Sequence, residues 1–308
     1  MKTTDLRVAV LKGGFSRERQ VSLSTGTAAA AALREAGCRV VEVDVRSRRW
    51  RLPSDADVVF VALHGAYGED GELQTKLERQ GVPFTGSSSE ACRRAFDKSV
   101  AKECFRAAGL RTPQDLVLRA RETSPRARDL PFDLPVVVKP AREGSSIGVR
   151  IVRKESELAE AIRQARRSDA VVLVEKYIPG IELTVGVLGD QPLPPVEIRP
   201  RAGWYDYTNK YTSGNTEYIV PARLDARLNR RLKRCGWAAH CALGCRDMSR
   251  ADFRLDEVGG IYLLEVNTIP GMTKTSLLPK AAAAAGIAFP RLCLALVESA
   301  LKRGRRAS

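Results

Sequence analysis

No stretch of this 308-residue chain approaches the roughly 20 uninterrupted apolar residues that a membrane-spanning helix needs. The opening MKTTDLRVAVLKGG has no basic-then-apolar segment closing on small residues, so no signal peptide is expected and the expected address is the cytoplasm. CxxC pairs are absent. The seven cysteines (Cys38, Cys92, Cys104, Cys235, Cys241, Cys245 and Cys293) are an odd number for a disulfide framework, so reduced thiols are expected. The group Cys235, His240, Cys241 and Cys245 matches the spacing of no common structural zinc site and lies in a helix-like run, which makes core packing its expected role. Also missing are a GxxxxGK[ST] phosphate loop, the GxGxxG spacing of a dinucleotide turn, and any helix-turn-helix, finger or aromatic-basic RNA signature. There is no internal repeat and no low-complexity segment.

What remains can build a full core: 44% of the residues are hydrophobic, and the length suits two or three domains. The net charge is +15, with 38 arginines among the 51 basic residues, a balance that suits nucleic acid, an anionic membrane face or phosphorylated small molecules. The densest clusters, RSRRWR at Arg46–Arg51 and KRGRR at Lys302–Arg306, fall in a loop and near the C-terminus, where solvated surface is the usual meaning. With no recognition signature beside them, neither nucleic acid nor membrane is an expected partner.

The pattern reads as an α/β protein that turns α+β toward its C-terminal part. Residues 1–95 alternate β-rich and helical runs: LRVAVL, a helix capped by Ser22 or Ser24 and stopped by Gly37, RVVEVDV, DVVFVALHG, then a helix from Glu72 to Gln80. A parallel sheet is the natural product. A second unit, 96–180, holds DKSVAKECFRAAG, a Pro/Arg-rich loop at 124–135, the strands PVVVKP and VVLVEKY, and the helix ESELAEAIRQARRS between them. A third, 181–308, brings the strands ELTVGVLGD and PPVEIRP, one long loop from Arg201 to Pro221, a basic helix from Asp225, a hairpin ADFRL-DEVGG-IYLLEVN and two final helices.

Three constellations carry chemistry. In the hairpin, Glu265 and Asn267 stand at i and i+2 on one face of a strand, and a register pairing 252 with 265 brings Asp252 beside them. Adjacent carboxylates repel unless they share a proton or a cation; hard oxygen donors of this kind hold Mg²⁺ and leave positions for phosphate oxygens. Lys139, at the end of an apolar strand, precedes REGSSIG, where Gly144 and Gly148 allow close backbone approach and Ser145 and Ser146 offer hydroxyls, a phosphate cradle in outline. At the C-terminal edge of the expected parallel sheet, where ligands of such folds bind, stand Glu18 in GGFSRERQVS and His64 and Glu69 in HGAYGEDG.

In order and spacing, GGFSRERQVS, HGAYGEDG, DKSVAK, VVVKPAREGSSIGV, EKYIPGIELTV, YDYTNKY and RADF…YLLEVNTIPGMT resemble the D-alanine–D-alanine ligases of the ATP-grasp superfamily, over nearly the whole chain. The resemblance implies a three-domain ATP-grasp architecture: a substrate-binding N-terminal parallel-sheet domain, then central and C-terminal domains with ATP between them. It implies Lys98, Lys139 and Ser146 on the phosphates, and Glu175, Lys176 and Glu182 on adenine and ribose. Two Mg²⁺ ions, replaceable by Mn²⁺, would sit on Asp252, Glu265 and Asn267. The γ-phosphoryl group would pass to the first D-alanine, and the amine of the second would attack the acylphosphate while Arg250 and the Gly271 N–H stabilise the oxyanion. Glu18 would fix the first ammonium and link through Ser145 to Tyr211. His64 and Glu69 would orient the first substrate, and Ser276 and Lys210 would grip the second carboxylate. The segment 201–220 resembles the family's closing ω-loop, and Tyr211 there favours a dipeptide over a D-lactate ester.

The resemblance also implies a peptidoglycan-precursor role and a homodimer. Departures are Lys274 near the second-substrate site, Ala251 in place of a larger aliphatic, and the basic charge. The alternatives are a related ligase using D-lactate or another amino acid, or a basic nucleic-acid-binding protein on a retired ligase scaffold.

Overall fold

Three β-sheets succeed one another along the chain in a computed structural model, which describes residues 5–205, 209, 212 and 214–307. The first is parallel, ordered β2-β1-β3 from β1 (Arg7–Gly13), β2 (Arg39–Val45) and β3 (Val58–Val61). The helix α1 (Arg19–Glu35) crosses over between β1 and β2, and α2 (Glu72–Arg79) and α3 (Ser89–Phe96) follow β3. After α4 (Lys98–Ala107) comes an antiparallel sheet ordered β4-β7-β5-β6, from β4 (Asp115–Leu118), β5 (Val136–Pro140), β6 (Arg150–Val152) and β7 (Val172–Lys176), with α5 (Glu155–Arg166) on it. The third sheet runs β11-β10-β8-β12-β13, with β9 (Gln191–Pro192) appended to β8. Its other strands are β8 (Ile181–Leu188), β10 (Val196–Pro200), β11 (Thr216–Ile219), β12 (Met248–Leu255) and β13 (Ile261–Asn267). It carries α6 (Ala226–Leu243), and α7 (Leu277–Ala284) and α8 (Phe289–Ala307) close the chain.

Alternation decides which face each element buries. On the first sheet Val8, Val10 and Phe60 point to one side, where Leu33 of α1 and Leu292, Leu296 and Val297 of α8 cover them. Ala9, Leu11, Val59 and Val61 point to the other, against Leu73 and Leu77 of α2. Each fully buried leucine here contributes about 1.5–3 kcal/mol. The late helix α8 is therefore part of the early sheet's core. Asp247, in a left-handed turn (φ 57), fastens it: its carboxylate accepts from Ser299 Oγ (2.7 Å), Arg303 and the Gly86 N–H (2.8 Å). No single described helix is long and apolar enough to cross a membrane.

Two local expectations need correction. The first helix begins at Arg19, before either serine expected to cap it. Ser22 Oγ instead donates to the Glu18 carbonyl (3.1 Å) and accepts the His64 N–H (2.9 Å), so the hydroxyl joins two loops rather than starting a helix. The segment from Arg201 to Pro221 is not all loop, because Thr216–Ile219 pairs antiparallel with β10.

The Cys235–Cys245 run belongs to α6 and its end. Cys245 is buried, and His240 Nδ1 lies 2.7 Å from Ser249 Oγ with its ring stacked on Trp237. Burial pushes the His240 pKa down to about 4. The unfolded chain, with an ordinary histidine near ~6.5, then binds more protons than the fold between those two values, so stability falls as pH falls through that window. The expected loss by pH 4 is on the order of 3 kcal/mol from this residue. Urea unfolding from pH 7 to 4 should show a shallower pH slope for His240→Phe, and equal slopes would remove His240 as the cause.

Candidate active site

Two adjoining clefts lie between the sheets. The first is walled in part by Val137, Ile151, Tyr177, Ile178 and Leu264, an apolar slot, and it receives Lys98, Lys139, Ser146, Glu175, Lys176, Glu182, Asp252 and Glu265. Lys139 ends β5 and bonds Glu175 Oε2 on β7 at 2.9 Å, two strands being enough to hold both groups inward. Lys98, in the first turn of α4, donates to the Glu143 carbonyl (2.7 Å) and lies 3.3 Å from Glu265 Oε2. Between β5 and β6, Ser145 (φ 50) and Ser146 (φ 59) both adopt the left-handed conformation, followed by Gly148 (φ 72). Consecutive non-glycine residues in that region store strain, which points to a functional loop.

The strand register assembles the carboxylates. Asp252 stands opposite Glu265, and Arg250 opposite Asn267, across β12 and β13. A bulge after Asp252 then pairs Phe253 with Leu263, so the consecutive residues Leu264 and Glu265 both reach the first cleft. Asp252 Oδ1 accepts from Thr184 Oγ1 (2.6 Å) and Arg250 Nε (2.9 Å), and Oδ2 from Arg250 Nη2 (2.7 Å) and Asn267 Nδ2 (3.0 Å). Burial works against the Arg250 cation, but the paired Asp252 carboxylate outweighs it and holds the guanidinium above its ordinary pKa. Two carboxylates and an amide form a hard-oxygen set, now balanced by Arg250 and Lys98, of the kind that binds a divalent cation.

The second cleft receives Glu18, His64, Glu69, Ser145, Arg250, Asn267, Gly271 and Ser276, and shares Gly144, Tyr205 and Glu265 with the first. Glu18 sits between β1 and α1, where Gly13 (φ 87) and Gly14 (φ 82) turn the chain. It accepts a bond from Ser145 Oγ across the cleft. A methyl group on Gly144 would lie 2.6 Å from Glu18 Oε2, so only glycine lets this loop approach so closely. His64 Nε2 meets Thr25 Oγ1 at 2.9 Å and Nδ1 is 3.7 Å from Glu69 Oε1. Ser276 caps α7 by position, while its Oγ accepts the Thr273 N–H (3.1 Å).

Apart from Gly148 and Lys274, which line neither cleft, every described residue given a site role in the sequence falls in one cleft or the other, and Lys210 and Tyr211 lie outside the described residues. Three neighbours escaped the sequence reading. Thr184 anchors Asp252 from β8, and its signal was the 184–252 pairing. Tyr205 lines both clefts, its carbonyl accepting from Ser146 Oγ at 3.3 Å. Lys102, one turn beyond Lys98, bonds Glu175 Oε1 at 2.7 Å.

Comparison with known proteins agrees with this geometry. A family model described as "D-ala D-ala ligase C-terminus" matches residues 106–298, and one described as "D-ala D-ala ligase N-terminus" matches residues 47–87. A D-alanine–D-alanine ligase of Anaeromyxobacter sp. (strain Fw109-5) is 47% identical over 306 residues, covering 97% of this chain and 98% of its own. One from Geotalea uraniireducens (strain Rf4) is 47% identical over 294 residues, 93% of each chain. The crystal structure of a D-alanine–D-alanine ligase from Bacillus anthracis superposes with a TM-score of 0.86 at 35% identity, covering 98% of this chain and 100% of its own. The same enzyme complexed with ATP gives 0.83 at 35% identity over 98% and 99%.

Proposed function

The chain belongs to the D-alanine–D-alanine ligase family, and from that premise we propose that it joins two D-alanine molecules into D-alanyl-D-alanine, a peptidoglycan precursor, with ATP as the activating substrate. The observation that carries this reading is the meeting of the two clefts at Gly144, Tyr205 and Glu265, which supports transfer between a phosphate held in one and a carboxylate held in the other.

In the proposed reaction the apolar slot takes adenine, Glu175, Lys176 and Glu182 orient adenine and ribose, and Lys98, Lys139 and Ser146 hold the phosphates. Asp252, Glu265 and Asn267 would hold Mg²⁺, and their oxygens fit it. Bound there, the metal would neutralise charge on the transferring phosphoryl group. The ATP γ-phosphorus–oxygen bond breaks as the first D-alanine carboxylate attacks it, giving ADP and an acylphosphate. Glu18, positioned through Ser145, holds the first ammonium, with His64 and Glu69 beside it. The second amine attacks the acyl carbon. Arg250 and the Gly271 N–H stabilise the oxyanion, phosphate leaves, and the amine loses its proton to give the peptide. Ser276 grips the second carboxylate; by the family resemblance Lys210 would share that grip and Tyr211 would link through Ser145 to Glu18. An acylphosphate hydrolyses in water, so a closing segment 201–220 would protect it.

Mixing the protein with ATP, Mg²⁺ and D-alanine should release phosphate in step with a product of dipeptide mass. ATP binding without release would reject the substrate assignment, and a panel including D-lactate separates amide from ester by mass.

A further inference from the structure

Lys102 is the one lysine in the described chain with no exposed surface, and its side chain ends in a fully committed position. Its Nζ meets Glu175 Oε1 at 2.7 Å, the Pro113 carbonyl at 2.9 Å and Asp115 Oδ1 at 3.2 Å, three acceptors for three protons. Asp115 and Glu175 are direct cross-strand partners on β4 and β7, a like-charge pairing that destabilises a sheet unless a cation enters between them. Glu175 in turn gives its other oxygen to Lys139 (2.9 Å). Burial alone would raise the Glu175 carboxyl, yet Lys139 and Lys102 together hold it below its ordinary value, so it stands as a carboxylate between two ammonium groups. A buried ion pair is often no more stabilising than apolar residues of the same volume. A charge network in this place therefore points past stability to the cleft it borders.

We propose that Lys102 is a positioning residue for nucleotide binding: by taking one oxygen of Glu175 it fixes that carboxylate toward the adenine slot and leaves Lys139 available to phosphate. This rests on the ATP placement given under the proposed function. Without Lys102, Glu175 keeps only Lys139 to offset its buried charge, and the phosphates must compete with that pairing for the lysine.

The test is ATP affinity by calorimetry in Mg²⁺ without D-alanine, together with D-alanine KM, for wild type, Lys139→Met, Glu175→Gln, Lys102→Met and the double variant Lys102→Met/Glu175→Gln. Lys102→Met is expected to weaken ATP about tenfold, within the coupling range of contacting groups, with D-alanine KM unchanged within about twofold. On the Glu175→Gln background the same change is expected to be silent. The double variant leaves no unpaired buried carboxylate at 175, so its comparison with Glu175→Gln decides the matter even if Lys102→Met alone fails to fold. A lowered Tm with unaltered ATP affinity overturns the proposal, as does a further tenfold weakening in the double variant. If Lys139→Met and Glu175→Gln leave ATP binding untouched, it is the nucleotide placement itself that fails.

Discussion

Replacing Arg250 by lysine is expected to lower kcat by about 10²–10³-fold, the scale for losing a donor aimed at a developing oxyanion, while ATP affinity changes little. Charge is conserved in this substitution, so the effect isolates geometry. The Arg250 guanidinium spans both oxygens of Asp252, at 2.9 and 2.7 Å, and borders the second cleft with its side chain only 16% exposed. A lysine ammonium is a point donor and cannot grip two carboxylate oxygens in that planar fashion while still facing the reacting carbonyl. Single-turnover kinetics at saturating ATP and D-alanine measure the step directly. A rate within threefold of the parent would remove Arg250 from oxyanion stabilisation.

Asp252→Asn should give the second large effect, and on two readouts. The Mg²⁺ concentration for half-maximal activity is expected to rise by at least ~10–100-fold, the range seen when even the surroundings of a metal ligand are disturbed. Stability should fall by about 3–5 kcal/mol, because the Arg250 cation keeps its buried position and loses its partner. Titration of Mn²⁺ by electron paramagnetic resonance with ATP present follows the first without needing turnover, and urea unfolding follows the second. Unaltered Mn²⁺ affinity would place the metal elsewhere, whatever happened to stability.

The parts legible in the sequence were those whose partners lie close along the chain or whose spacing is fixed by a strand. The turn after Leu255 was compatible with a 252–265 pairing but did not fix it: a regular hairpin from Leu255 opposite Ile261 would pair 252 with 264, and it is the bulge after Asp252 that brings Glu265 opposite. Lys139 and the glycine-serine loop were legible because strand end and loop are contiguous. Lys102 was not. It shares a helix face with Lys98 at i and i+4, but its acceptors Asp115 and Glu175 become neighbours only when β4 pairs with β7, and nothing local announces that. The strand Thr216–Ile219 was hidden for a related reason: it is an edge strand beside β10, with no fully buried residue to impose an alternation. The start of α1 was misplaced because Ser22 looks like a cap in isolation, whereas its hydroxyl is engaged by His64, 42 residues later.

The seating of α8 on the first sheet has a bearing on how the protein is made. Val8, Val10 and Phe60 leave the ribosome long before Leu292, Leu296 and Val297, which share their core. At ~5–20 residues per second the nascent chain carries an oily, half-finished face for on the order of tens of seconds. The early sheet is thus expected to resist protease only once the residues near 292–297 have emerged, which proteolysis of stalled nascent chains measures.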